Sequence, residues 1–536
     1  MPRTPLFDFL QRSLAFARLS LHSERPVDEM LEEARERALN RRDFLSASAS
    51  AAAVLAYSGC APARVATRSR HEESVVIVGA GVAGLTAAFR LKQAGIRARV
   101  LEAGSRAGGR MFSLRDHFAD GQVAELGGEL IDTGHAAIRA LAGELGIALD
   151  DLATDDPSLA RDIWHFGRER RSEREIVEAF RPIAERIERD LQTITGDDVT
   201  YREPNGAQAL DAMTLEEWLE RAEARGFVRD LLDVGYTTEY GLELGRQSAL
   251  NLLLMIDPNP DPFRIYGESD ERFHVRGGND RIVAALASRL EGQIETGSAL
   301  ESVREKSDGS LSCGVRRGAA STEIGADRLL LALPFTLLRE VRMDVALPPA
   351  KARAIAEIGY GTNAKLMVGF SERVWRTRHG SNGSVLTDLP FQLTWETSRR
   401  QPGRSGILTN FTGGQHGVEL GRGSASEQAG QLVSDLERIF PGVGAKRAGM
   451  KEARFHWPSH PWTRGSYACY LPGQWTGFRG AEGERVRRLH FAGEHCSLEA
   501  QGFMEGGCET GEAAAREILA ELGLPVARAT PSAAAA

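Results

Sequence analysis

The sequence predicts an α/β fold in which a discontinuous dinucleotide-binding domain is interleaved with a second, α+β domain. Three observations predict it: a strand, glycine loop, helix and strand from Ser74 to Arg110; a strand, glycine turn and helix from His490 to Leu522; and two long mixed segments between them. At 536 residues the chain is too long for one compact core. Cofactor-type pieces that far apart read as one domain assembled from distant segments, with the default pocket at the domain interface.

The first unit reads SVVIVGAGVAGLTAAFRLKQAGIRARVLEAGSRAGGR. Val75 to Val78 form a β-branched run that enters a tight loop. Gly79, Gly81 and Gly84 fill the glycine slots of G-x-G-x-x-G, with Ala80, Val82 and Ala83 between them. Gly79 permits the turn, Gly81 lets a pyrophosphate approach the backbone, and Gly84 lets the following helix pack on the sheet. The helix N-terminus offers unpaired N–H groups to the phosphates. Glu102, followed by Ala103, ends the second strand where a carboxylate can accept hydrogen bonds from a ribose. This is a Rossmann-like unit. Arg106 and Arg110 then flank a glycine pair, a combination suited to diphosphate oxygens and a bulky cofactor.

Residues 1–73 read as leader and linker. Asn40-Arg41-Arg42-Asp43-Phe44-Leu45 precedes the weakly apolar run SASASAAAVLAYSGCAPA, the pattern of a twin-arginine export signal. Export would place the protein in the periplasm or outside the cell, and Ser58-Gly59-Cys60 adds a candidate lipid-attachment site. The alternative is an N-terminal helical arm on a cytoplasmic protein. The run is too short to span a membrane.

After the first unit, His135 to Leu145 and Leu215 to Leu232 carry helical periodicity. Arg168 to Asp190 mixes charges at helical spacing, a solvated helix face. Asp257 to Phe263 is a Pro/Asp-rich loop. Beyond Val275-Arg276-Gly277-Gly278-Asn279 a helix runs to about Leu290, short strands turn at Ser307–Ser310, and Arg328 to Leu333 is a buried strand stopped by Pro334. Ala364 to Phe370 is a strand candidate and Ser426 to Phe440 a helix candidate.

Net charge is −8, from 74 acidic against 66 basic residues, and no basic block interleaves with aromatics, so nucleic acid is not an expected partner. The five cysteines lack metal-ligand or disulfide-framework spacing, and no metal site is expected.

Four motifs, in this order and spacing, make the chain resemble the flavin-containing amine oxidase family of monoamine and polyamine oxidases. They are the Gly79 loop with Glu102, Arg106 to Arg110, Glu125-Leu126-Gly127-Gly128, and the block from Phe491-Ala492-Gly493-Glu494-His495 to Gly502-Phe503-Met504-Glu505-Gly506-Gly507. The resemblance runs from about Ser74 to Ile518 and implies FAD. Glu102 and Arg110 would meet its ADP half, Leu300 the adenine, and Glu494 and Met504 the ribityl and flavin parts. Gly127, Gly128, Glu129 and Gly493 fall in the same cofactor motifs.

The family pattern also implies chemistry. Lys365, in an apolar strand, would hold a water against flavin N5. Tyr467 and Phe503 would form two aromatic walls around the amine. Ser466 stands where monoamine oxidases carry a flavin-linking cysteine, which implies non-covalent FAD; Cys469 is a weaker attachment candidate. No arginine follows Leu126-Gly127, unlike the L-amino acid oxidases, whose arginine there binds the substrate carboxylate. Asp132 or Glu129 could meet a distal ammonium, with Glu239 and Tyr240 lining the same pocket.

The implied partners are a small amine and dioxygen, with a homodimer left open. The alternatives are an L-amino acid oxidase and a dehydrogenase or desaturase of the same fold. The implied organisation is an FAD-binding domain from 74–133, 270–338 and 455–522, a substrate-binding domain from 134–269 and 339–454, and a disordered tail at 523–536.

Overall fold

The computed structural model describes residues 74–196, 198–255 and 270–525. The expected leader with Cys60, the loop Asp257–Phe263 and the tail from 526 lie outside the described residues. No helix among the described residues is long and apolar enough to cross a membrane.

A five-stranded parallel sheet runs in the order Leu489–Phe491, Arg328–Leu331, Val75–Val78, Arg99–Leu101, Ile294–Glu295. Its central strand Val75–Val78 is buried throughout, as a β-branched run covered on both faces should be. The glycine-loop helix Val82–Gln93 and the C-terminal helix Met504–Glu521 pack together in the core cluster beside the sheet. Small residues bring their backbones close: a side chain at Gly511 would meet the Ala83 carbonyl at 2.3 Å. Beside them, Ala320–Ala326, Leu311–Arg317, Ala299–Glu305 and Arg342–Asp344 form a four-stranded sheet.

The largest sheet has seven strands. In order they are Glu452–His456, Ala364–Phe370, Gly406–Thr412, Leu393–Glu396, Val385–Thr387, Ile163–Phe166 and Glu169–Arg171. Every residue of Ala364–Phe370 is buried, and antiparallel neighbours set Lys365 opposite Phe411 and Phe455. The charge-dense segment forms the helix Glu173–Leu191, opened by a Ser172/Glu175 capping box, with Ile176, Phe180, Ile183 and Ile187 buried.

Three features differ from the expected layout. The helix Ala136–Glu144, placed by sequence in the second domain, buries Ile138, Leu141 and Ala142 in the parallel sheet's core. Leu149–Asp151 next to it pairs with Phe273–Val275. The expected helix Leu215–Leu232 is two helices, Leu215–Arg221 and Phe227–Tyr240, because Gly226 turns the chain at φ 62°.

Candidate active site

A cavity of about 1030 Å³ runs from the glycine loop to the seven-stranded sheet. At its first end the wall is backbone. Gly79 has φ 107°, and a Cβ there would lie 2.3 Å from the Ala332 carbonyl. Gly84 presses the helix onto the turn, where a Cβ would sit 2.0 Å from the Gly79 carbonyl. At Gly81 a Cβ would meet nothing within 4 Å. That open space is at the N-terminus of Val82–Gln93, which has no side-chain cap and no acidic residue in its first turn. Gly81, Val82 and Ala83 therefore present unpaired N–H groups to the cavity, a site built for phosphate oxygens.

Glu102 lies beside this loop. Its two oxygens accept the N–H groups of Ala80 at 2.9 Å and Gly104 at 2.7 Å, which fixes the carboxylate and leaves acceptor positions for hydroxyls. Ala103, Leu300 and Ser298 line the same end. The glycines, the helix terminus and the fixed acid suit the ADP half of FAD.

Midway, Arg110 donates to Glu494 and to the Ser466 carbonyl, each at 2.8 Å. It ties the first motif to the last through one nitrogen, Nη1, and lines the cavity. The other Glu494 oxygen accepts the Gly502 N–H at 2.9 Å, just before Phe503 and Met504 open the last helix. At Gly128 a Cβ would lie 2.7 Å from the Met504 side chain, which would have to shift to admit it. Gly127, Gly128, Gly493, Glu494, Phe503 and Met504 all line the cavity.

The far end is made of side chains. The Lys365 ammonium donates to Glu129 Oε2 at 2.7 Å, the Gly127 carbonyl at 2.8 Å and the Glu125 carbonyl at 3.3 Å. Glu129 Oε1 accepts from Trp395 Nε1 at 2.9 Å and Thr397 Oγ1 at 2.8 Å. Burial pushes the Glu129 carboxyl up, but the Lys365 charge and the hydrogen bonds outweigh it and hold it below the usual range. Trp395 and Phe411 have ring centroids 5.6 Å apart, and both line the cavity with Tyr467 and Phe503. The Tyr467 hydroxyl donates to the Glu239 carbonyl at 2.7 Å, which fixes its ring. The Phe503 ring rests on His135, centroids 4.8 Å apart.

Three expected substrate residues, Asp132, Glu239 and Tyr240, are not brought to this wall; Glu239 contributes only its backbone carbonyl, as acceptor of the Tyr467 hydroxyl. Asp132 is 2 % exposed and outside the lining; its Oδ1 accepts the Glu271 N–H, and its own N–H donates to His135 Nδ1. Its role is a local turn, with His135 pushed down to about 4 by burial and by Arg139. Tyr240 is also outside the lining, its hydroxyl facing the Asn251 carbonyl and the Met255 sulfur as alternative acceptors for its single hydrogen. Ala80 and Gly84 lie behind the loop surface. Cys469 is buried, near Asn251, and lines no part of the cavity.

Sequence reasoning missed Trp395, Phe411, Trp457, Asn363 and Glu271, all of which line the cavity. Trp395 and Phe411 sit in short strands buried almost throughout, and no linear signal connects them to Glu129 or Lys365. Among the described residues no cluster of three or more His, Cys, Asp or Glu could hold a metal.

The family described as flavin containing amine oxidoreductase matches residues 82–519. A putative L-amino-acid oxidase of Bacillus subtilis (strain 168) is 23% identical over 462 residues, covering 84% of this chain and 95% of the relative. A flavin-containing amine oxidase of Danio rerio is 26% identical over 477 residues, 84% of this chain and 86% of the relative. The solved structure of cyclohexylamine oxidase from Brevibacterium oxydans IH-35A superposes with a TM-score of 0.71 at 22% identity, covering 84% of this chain and 99% of that one.

Proposed function

Because the chain belongs to the flavin-containing amine oxidoreductase family, we propose that it is an FAD-dependent oxidase of a primary or secondary amine. One observation carries the reading: a single cavity joins the phosphate-type glycine loop and Glu102 to the wall of Lys365, Tyr467 and Phe503. When bound, FAD would supply a two-electron acceptor: the amine would lose a hydride equivalent from its α-carbon, the resulting imine would be hydrolysed to a carbonyl and ammonia or a smaller amine, and dioxygen would take up the electrons as hydrogen peroxide. The chain's own contribution is to hold, orient and dry the reactants. Tyr467 and Phe503 give the amine two aromatic faces, and the dry wall favours its neutral form. Lys365, fixed by its acceptors, orders the flavin edge of the site.

The cofactor is bound without a covalent link. Cys313, Cys469, Cys496 and Cys508 are all outside the cavity lining, and Ser466 cannot form a thioether. Acid precipitation should release all the flavin into solution.

The arginines of the lining favour an amine over an α-amino acid. Arg110 is bonded to Glu494, Arg316 to Glu301, Arg464 to Glu340, and Arg106 to backbone carbonyls. Each already has an acceptor within the chain, which favours a substrate without a carboxylate. The second reading, an L-amino acid oxidase, draws on the Bacillus relative. A peroxide-coupled screen of monoamines, diamines and amino acids separates the two. Turnover of amines but not amino acids supports the first reading; the reverse overturns it. Amine-driven bleaching without peroxide would move the assignment to a dehydrogenase with another acceptor. Export through the Arg41-Arg42 leader is part of the proposal, and recovery of the protein only from cytoplasm would remove it.

A further inference from the structure

The Lys365–Glu129 pair does more than orient a lysine. Both side chains line the cavity, yet Lys365 is 5 % and Glu129 8 % exposed. An ammonium has three hydrogens, and Glu129 Oε2, the Gly127 carbonyl and the Glu125 carbonyl engage all of them. Glu129 in turn is held by Lys365, Trp395 and Thr397. The donors come from the seven-stranded sheet and its edge; the acceptors come from 125–129. Each partner is thus fixed by the opposite side of the seam.

The segment carrying the acceptors is anchored separately. The Glu125 side chain accepts from Ser113 Oγ at 2.8 Å and from the Asn279 N–H at 2.9 Å, and it pairs with His274 at 2.9 Å. Glu125 thus has His274 as its ion-pair partner, and Lys365 is the cation hydrogen-bonded directly to Glu129.

We propose that Glu129 is a positioning residue that cancels the Lys365 charge at the flavin edge and so sets how readily the bound flavin accepts electrons. The proposal rests on the FAD reading above. In a water-poor wall, an isolated cation strongly favours added negative charge on a neighbouring ring, whereas a close ion pair exerts a much weaker field.

Sulfite tests the sign. It adds to oxidised flavin as an anion and bleaches the visible band, so its affinity follows the local charge. On purified holoenzyme, Glu129→Gln leaves Lys365 uncancelled and should tighten sulfite binding ~10-fold or more. Lys365→Met leaves Glu129 uncancelled and should weaken it by a similar factor. The double variant should return toward the parent. A purely structural clamp would move both single variants the same way, and that result overturns the proposal, as does no shift in either. If Glu129→Gln yields no folded holoenzyme, Glu129→Asp retracts the charge by one methylene and should shift affinity in the same direction by less. Absence of flavin from the parent protein would instead refute the FAD reading, and this inference with it.

Discussion

At the glycine-loop end of the cavity, the wall is backbone: Gly79, Gly81 and the open N-terminus of Val82–Gln93, with Glu102 fixed by two N–H groups. At the other end the wall is side chains from distant segments: Lys365, Trp395 and Phe411 on strands, and Tyr467 in the bend before Ala468–Cys469. The first end recognises phosphate and ribose, groups common to every dinucleotide. The second faces whatever is to be oxidised. Backbone recognition tolerates little change in shape, while side-chain recognition can be altered residue by residue. The two ends should therefore fail differently when mutated.

The largest effect is expected at the backbone end. Gly84→Val would drive a Cβ into the Gly79 carbonyl, now 2.0 Å from that position. It should cost ~3 kcal/mol or more, read as a lower melting temperature and loss of bound flavin together. At the side-chain end, Lys365→Met should retain flavin but slow its anaerobic reduction by amine by ~100-fold; stopped-flow absorbance checks this. Retained flavin with an unchanged rate would mean that the two ends do not divide the work as described.

A smaller change is expected from Glu102→Gln, which keeps shape but weakens the acceptor for a ribose. FAD affinity should fall ~10-fold, about 1.4 kcal/mol, with turnover at saturating FAD unaltered. Fluorescence titration of the apoprotein measures it. A turnover defect at saturating FAD would show that the cradle also shapes the reacting end.

The smallest effect concerns the anchor between the ends. Burial lowers the His274 pKa, but the hydrogen bond and charge of Glu125 outweigh it and leave it raised. A raised folded pKa stabilises fully below the unfolded value, ~6.5, and the contribution is lost as pH climbs through the raised value. The melting-temperature gap between parent and His274→Gln should be widest at about pH 6 and narrow as pH rises. A gap that widens toward alkaline pH would contradict the pairing.

The same contrast explains what could be read from the chain. The glycine loop was legible because its requirements are local: φ at Gly79, close packing at Gly84, an acid at the next strand end. Lys365 was legible because a lone lysine in an apolar strand demands partners. Trp395 and Phe411 were not, because their convergence on Lys365 depends on strand register, with Phe411 opposite Lys365. Asp132 was misread because its spacing fits a channel acid and also a turn closed by His135 three residues on. The helix break at Gly226 was hidden because the apolar period continues across it.

The central claim is that FAD and an amine meet in this one cavity. Anaerobic addition of amines to the purified protein, followed through the flavin's visible absorbance, tests it most directly. The account expects a flavin-coloured protein that apolar amines bleach and oxygen restores, with peroxide formed in equal amount. A protein without flavin, or one whose flavin no amine reduces, would contradict it.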